Sequence, residues 1–439
     1  MAQIVMKFGG TSVGSAERIL NVANIIKNNK DKDPIVVVSA VGGVTDKLIN
    51  GAKDVFLQKR GIDEVHSEIV EKHKTILKEI GLEEDLVDKN LNKLRHIYEN
   101  LTDLSAKTMD EVTSFGERMS SKIVSATLRK VGEESSAHNA YEIGFVTTPV
   151  HGDAVPLPTS YKLIRESLEK ISGIPVVTGF IGKDKDDNIT TLGRGGSDFT
   201  AAIIGKAISS DEIQIWTDVS GVKTTDPRIV KEAITIPEMT FEEAAELAYF
   251  GAKVLHPRTM LPAVETGIPI VVKNTMEQDH PGTRIVKEID YCNNLVTAMS
   301  LKRGIKIIRI ESSRMINAHG FLAKIFAAFE KYKISVDMVS TSEVSVSATI
   351  SETVDTDSLV EELAEIGKVK IYEDMNLVCV VGRCLHKDKT IHGEIFDAVE
   401  KNNICVKMIS QGPSLINVGF VVQKEMGEKA IQCLHDAFY

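Results

Sequence analysis

The chain has 439 residues and carries 52 Lys and Arg against 62 Asp and Glu, a formal charge of −10. That length suits two or three domains, each with a core of its own. The acidic balance argues against nucleic acid or an anionic membrane as partner, and any anionic substrate needs positive charge gathered locally. No apolar run is long enough to cross a bilayer, and the chain opens on a strand where a signal segment would place a charged stretch, so a soluble cytoplasmic protein is expected. The five cysteines (Cys292, Cys379, Cys384, Cys405, Cys433) show no C-x-x-C or Cys/His metal spacing and are expected to be reduced core residues.

The first predicted strand, Ile4–Phe8, is apolar except for Lys7 and runs into Gly9-Gly10-Thr11-Ser12. Glycines let backbone N–H groups approach an anion, the lysine adds charge, and a following helix offers its positive end, so a phosphate cradle is one reading. The order is not that of a P-loop, since the lysine precedes the glycines. The plainer reading is a β-turn beside a surface lysine. A helix is predicted over Ala16–Asn29 and an all-apolar strand over Pro34–Ser39, which together imply a right-handed crossover in a parallel sheet covered on both faces. The turn Ser39–Asp46 leaves the carboxyl end of that strand, where open α/β sheets bind ligands, so Thr45 either faces the same crevice as Lys7 or starts a helix.

Residues 51–110 are rich in Lys, Glu and Asp with Leu, Ile and Val at helical spacing, and predict a helical insertion with a solvated face. His66, His73 and His96 on it are given no chemistry. Thr113-Ser-Phe-Gly-Glu-Arg118 breaks the helical pattern; Glu117 either meets an ammonium group or pairs with Arg118 or Lys122. The parallel-strand signature returns at Ile174–Phe180, and Asp184–Asn188 forms a hairpin tip. Gly193-Arg-Gly-Gly-Ser-Asp198 then leads into a helix. Its glycines suit a backbone bent about an anion, Arg194 presents a planar fork for a carboxylate, and Ser197 and Asp198 sit where helix capping is the standard role. Ile213–Asp218 is another buried strand. The turn after it gathers Asp218, hydroxyls, Lys223 and Arg228, as a nucleotide and Mg²⁺ site needs, or as a solvated loop also would. A helix over Thr240–Phe250, the segment Gly251–Pro257 with Lys253, and a strand Pro269–Asn274 that closes the sheet complete this region.

In this order and separation, KFGGTSVG, Phe115-Gly-Glu117, TLGRGGSD, WTDVSGVKTTDPR and GAKVLHPRT resemble the aspartokinase branch of the amino-acid kinase superfamily over essentially the whole chain. The resemblance implies transfer of the ATP γ-phosphoryl group to the β-carboxylate of L-aspartate with Mg²⁺, the first step toward lysine, threonine and methionine. It implies that Lys7 neutralises the phosphoryl group, with Asp198 a further polar group at the site. Thr45, Glu117, Arg194 and Ser197 would hold aspartate. Gly9, Gly10, Thr217, Asp218, Lys223, Arg228, Lys253 and Val254 would line the ATP site. At Lys223 relatives carry an aromatic residue, so its contact with the nucleotide is the weakest of these. A carboxylate needs no general base to attack, and no Ser/His/Asp or Cys/His constellation is present. The competing readings are a kinase for glutamate or acetylglutamate and a non-catalytic amino-acid sensor.

Past residue 290 short strands, among them Leu295–Leu301, Ile305–Glu311, Val369–Tyr372 and Leu377–Gly382, alternate with helices in a βαββαβ order. The division expected is a catalytic domain over 1–290, a first unit over 304–374, and a second, discontinuous unit over 295–303 and 375–439. The pair resembles ACT domains, which implies an amino-acid effector and a homodimer or homotetramer assembled through them. Met315, Ala318, Gly320, Phe321, Leu322, Val336, Asp337, Ser342 and Glu343 look most like the lysine-sensitive type, with Asp337 and Glu343 meeting the cationic groups of L-lysine; solvated loop acids are the alternative.

Overall fold

Strands that are apolar at nearly every position have no solvated face, and the strands Ile4–Phe8 (β1), apolar but for Lys7, and Ile35–Val38 (β2) are accordingly buried throughout. The structure, a computed structural model, describes residues 3–252, 255–292, 294–315 and 319–439. It divides into a unit of Met1–Val222, Thr235–Phe241 and Leu255–Glu288 and a second of Lys223–Ile234, Glu242–Val254 and Ile289–Tyr439.

The first unit adds Ser135–His138 (β3), Ile174–Thr178 (β4), the hairpin Ile181–Lys183 (β5) and Ile189–Thr191 (β6), Glu212–Thr217 (β7), Glu238–Thr240 (β8), Ile270–Asn274 (β9) and Thr283–Val286 (β10). Eight of these form one sheet in the order β3-β4-β2-β1-β7-β9-β10-β8, parallel except where β10 runs against β9. The strand expected to close the sheet, β9, is therefore internal. The two strands beyond it are only three and four residues long, too short for a periodicity signal. The register aligns Phe8 with Val38 and Trp216, and Val38 with Thr178, so the turns after β1, β2, β4 and β7 leave the sheet at one edge.

The insertion is helical, over Val44–Phe56, Ile62–Ile80 and Asp88–Glu99, but His66 and His73 lie inside it. Their ring nitrogens reach the Leu91 and Ile69 carbonyls at 2.9 and 2.7 Å. Nor is the helical pattern broken at Gly116: one helix runs from Ala106 to Lys130. The glycine is a contact point, because a Cβ there would stand 2.6 Å from the Ala40 Cβ.

In the second unit Ala298–Glu311 (β11), Val339–Thr341 (β12), Ser345–Ser351 (β13), Lys368–Val381 (β14), Met408–Ser410 (β15) and Asn417–Gln423 (β16) form one antiparallel sheet in the order β12-β13-β11-β14-β16-β15. Segments read from sequence as four separate strands are two continuous ones of 14 residues each, β11 and β14, with a register shift between Lys302 and Ile305. Ala298–Lys302 pairs with Leu377–Val381, and Ile305–Glu311 pairs with β13. One apolar core lies under Phe321–Lys331 and Asp357–Ile366, another under Ile391–Lys401 and Gly427–Phe438. The expectation of five reduced core cysteines is corrected twice: Cys292 and Cys384 form a disulfide with Cα atoms 6.2 Å apart, and Cys405 is exposed. Residues 92 positions apart in sequence give no local sign that they will meet. Among the described residues no helix is long and apolar enough to cross a membrane.

Candidate active site

Lys7 leaves β1 on the sheet edge just described and is 9 % exposed. Its ammonium lies 2.5 Å from an Asp198 carboxylate oxygen, so the surface-lysine alternative does not hold. The pair borders a cavity of about 340 Å³ that Thr45, Glu117 and Ser197 also line. Four of its sides come from different parts of the chain: the β1 turn, the Ser39–Asp46 turn, the 106–130 helix and the Gly193–Asp198 loop.

Two helix N-termini open on this cavity. The helix Val44–Phe56 is capped by Gly43 and the helix Gly196–Ile208 by Gly195, both left-handed and neither with a side-chain cap. Ser197 and Asp198 are thus not capping residues, and their side chains are left to the cavity. The positive ends of both helices add to Lys7 and favour an anion there. Gly10 and Gly42 let the two turns meet, since a Cβ on Gly42 would be 3.0 Å from the Gly10 carbonyl oxygen. The Gly9 N–H donates to the Trp216 carbonyl at 3.1 Å, so Gly9 contributes closeness of backbone to the cradle but not its N–H.

Glu117 is 3 % exposed and makes no ion pair with Arg118 or Lys122. One carboxylate oxygen accepts from the Ala40 N–H at 3.1 Å, and the other is buried without a hydrogen-bond partner. Burial pushes its carboxyl up to about 8, against the opposing pull of Lys7. A buried acid with an unsatisfied oxygen beside a cavity is suited to a ligand ammonium group.

Arg194 is exposed, between the lining glycines Gly193 and Gly195, and its side chain is not among the cavity walls. Thr217 is half-buried and bonds to the exposed Asp218 at 3.1 Å, one position beyond Trp216 at the end of β7. Lys223 and Arg228 belong to the second unit: the Lys223 ammonium donates to the Ala233 carbonyl at 3.3 Å, and Arg228 pairs with Asp226 at 2.7 Å. Lys253, Val254 and Ala318 lie outside the described residues.

Ser39, Asp46 and Phe180 line the cavity and were not singled out from sequence; their positions just after β2 and β4 were the available signal. Asp110 was missed altogether. It is buried, bonds to His151 at 2.8 Å and the Gly152 N–H at 3.1 Å, and takes the Thr191 hydroxyl at 2.5 Å, which anchors the hairpin strand running into the Gly193–Asp198 loop.

In the second unit Met315 and Val336 are half-buried, and Phe321 and Leu322 begin a helix whose N-cap is the left-handed Gly320. Ser342 bonds to Ser345 at 2.8 Å and Glu343 is exposed. Asp337, 7 % exposed at its side chain, holds the Lys302 ammonium at 2.6 Å.

The chain matches the amino acid kinase family over residues 2–274 and an ACT domain family over 308–361 and 378–438. It is 41 % identical over 457 residues to aspartokinase 2, chloroplastic, of Arabidopsis thaliana, covering 99 % of this chain and 84 % of that protein. Among solved structures it resembles E. coli aspartokinase III in complex with aspartate and ADP (R-state), with a TM-score of 0.84 at 32 % identity and 99 % of each chain covered. The same enzyme with lysine and aspartate (T-state) gives a TM-score of 0.82 at 32 % identity, covering 100 % of this chain and 99 % of that one.

Proposed function

The chain belongs to the amino acid kinase family, among its aspartokinases, and from that premise we propose how its residues perform ATP-dependent phosphorylation of the L-aspartate β-carboxylate. The observation that carries the proposal is the Lys7–Asp198 pair, set between two helix N-termini on a cavity that also contains Glu117. One β-carboxylate oxygen forms a bond to the γ-phosphorus, the bond from that phosphorus to the β,γ-bridging oxygen breaks, and ADP leaves with the electron pair. The nucleophile is already ionised, so no proton has to be removed. Catalysis then consists of alignment and neutralisation of charge.

Asp198 keeps the Lys7 ammonium aimed at the phosphoryl group in transit. Glu117 takes the aspartate ammonium, the Thr45 and Ser197 hydroxyls orient its carboxylates, and Arg194 folds over the α-carboxylate. Gly9, Gly10, Thr217 and Asp218 receive ATP, with Lys223, Arg228, Lys253 and Val254 assigned to the nucleotide from the resemblance. Mg²⁺ is expected to travel on the phosphate oxygens of ATP. Among the described residues no group of three or more His, Cys, Asp or Glu gathers that could hold a cation unaided.

The second unit is assigned as a pair of ACT domains over 304–374 and 295–303 with 375–439, binding L-lysine as feedback inhibitor, joining copies into a dimer or tetramer, in the cytoplasm. An effector acts only through different affinities for two states. Hydroxamate formation from aspartate and ATP, run against glutamate and acetylglutamate and with lysine titrated in, tests both assignments. Turnover of aspartate alone, falling with lysine, is expected. Preference for another acid overturns the substrate, and indifference to lysine overturns the effector.

A further inference from the structure

Asp337 is a buried carboxylate whose neutralisation is incomplete. One oxygen takes the Lys302 ammonium at 2.6 Å, and the other is buried with no hydrogen-bond partner. Lys302 is itself held in place from three sides. It stands at the register shift of β11, where the strand bends. Its ammonium lies 5.6 Å from the centre of the Tyr249 ring, and the Tyr249 hydroxyl donates to the carbonyl of Val336, the neighbour of Asp337, at 3.2 Å. Behind it the backbone passes so close to Gly251 (φ +104°) that a Cβ there would be 3.4 Å from the Lys302 Cα.

An ammonium on a flexible four-carbon stem is what a free lysine effector would also bring to this carboxylate. Two such groups within hydrogen-bonding reach of one buried acid repel each other, so a second ammonium is held firmly only where Lys302 has let go. Resting on the effector reading given above, we propose that Lys302 is a tethered competitor: its side chain occupies Asp337 in the effector-free chain and sets the lysine concentration at which inhibition begins.

Free lysine binds in the measure that Asp337 is released, and its apparent dissociation constant is the intrinsic one divided by the released fraction. If the pair with Lys302 leaves Asp337 free in about one chain in ten, removing the competitor tightens apparent lysine affinity about tenfold. An effector without a side-chain cation cannot take the place of Lys302, so threonine responses do not move with it.

The test compares lysine inhibition of aspartate phosphorylation, and lysine binding by calorimetry, in the full chain and in Lys302→Met, Lys302→Gln and Lys302→Arg. Lys302→Met and Lys302→Gln are expected to be inhibited at about one tenth of the lysine concentration, with unchanged turnover in its absence, while Lys302→Arg stays near the parent. Lys302→Gln keeps a donor toward Asp337 and serves if the methionine variant fails to fold, as judged by thermal melting. Inhibition at the same or a higher lysine concentration in the folded variants overturns the competition and leaves the effector reading standing. If neither parent nor variants bind lysine while all phosphorylate aspartate, the effector reading itself falls.

Discussion

At the scale of single residues the site is defined by a buried cation, Lys7, held by a partly buried Asp198 on one cavity. Lys7→Met removes the cation and leaves Asp198 facing the developing phosphoryl charge. A loss of about 10²–10³ in kcat is expected, by analogy with deletion of one preorganised electrostatic contact, with aspartate binding retained. Steady-state kinetics alongside calorimetric titration of aspartate measures both. Glu117 sets a pH dependence whose sign follows from its carboxyl being raised from 4.5 to about 8. Below 4.5 it is neutral in folded and unfolded chains alike. Between 4.5 and 8 the unfolded chain ionises first, so this group lowers stability by about 1.4 kcal/mol per pH unit, and above 8 the penalty is complete. Glu117→Gln is therefore expected to match the parent in urea midpoint near pH 4 and to exceed it above pH 8. Binding of an ammonium substrate must expel the Glu117 proton below that value, so KM for aspartate is expected to fall as pH rises from 6 to 8 in the parent and not in the glutamine variant.

At the scale of elements, the long helix Ala106–Lys130 carries Glu117 to the sheet edge, and Gly116 is what allows it to come close enough. Gly116→Ala puts a Cβ 2.6 Å from the Ala40 Cβ, and Ala40 is the residue whose N–H holds Glu117. Overpacking of this kind costs about 1–3 kcal/mol, even though alanine favours a helix over glycine. The variant is expected to lose that much in chemical denaturation and to bind aspartate more weakly, because the helix must move away from the Ser39–Gly43 turn. A stabilised variant with unchanged KM would contradict the close contact. The hairpin of β5 and β6, anchored by Asp110, plays the matching part for the Gly193–Asp198 loop.

At the scale of the whole molecule, an acidic chain gathers its positive field where β1 ends and two helices begin. Its second unit exposes Leu322 and Phe326, four residues apart on one helix, at 43 % and 36 %. Side chains four apart share one helix face, so these two form the apolar patch through which assembly is tested. A dimer or tetramer is expected in light scattering of the full chain, shifting toward monomer in Phe326→Glu; a parent that is monomeric at assay concentrations would refute assembly through this face.

The order of strands and helices, the parallel character of the sheet core, the glycine turns and the lysine beside them were legible in the residues themselves. They rest on short-range chemistry: apolar runs, backbone freedom at glycine, helix periodicity. The residues Lys7, Thr45, Ser197 and Asp198 could be picked out singly for the same reason. Their meeting, the turn of Glu117 inward to the Ala40 N–H, the anchoring role of Asp110, the fusion of four short strands into β11 and β14, and the pairing of Lys302 with Asp337 and of Cys292 with Cys384 were decided only by the tertiary structure. Each of these joins positions far apart in the chain. A side chain's charge state and partner depend on what long-range packing places beside it, which no local pattern encodes.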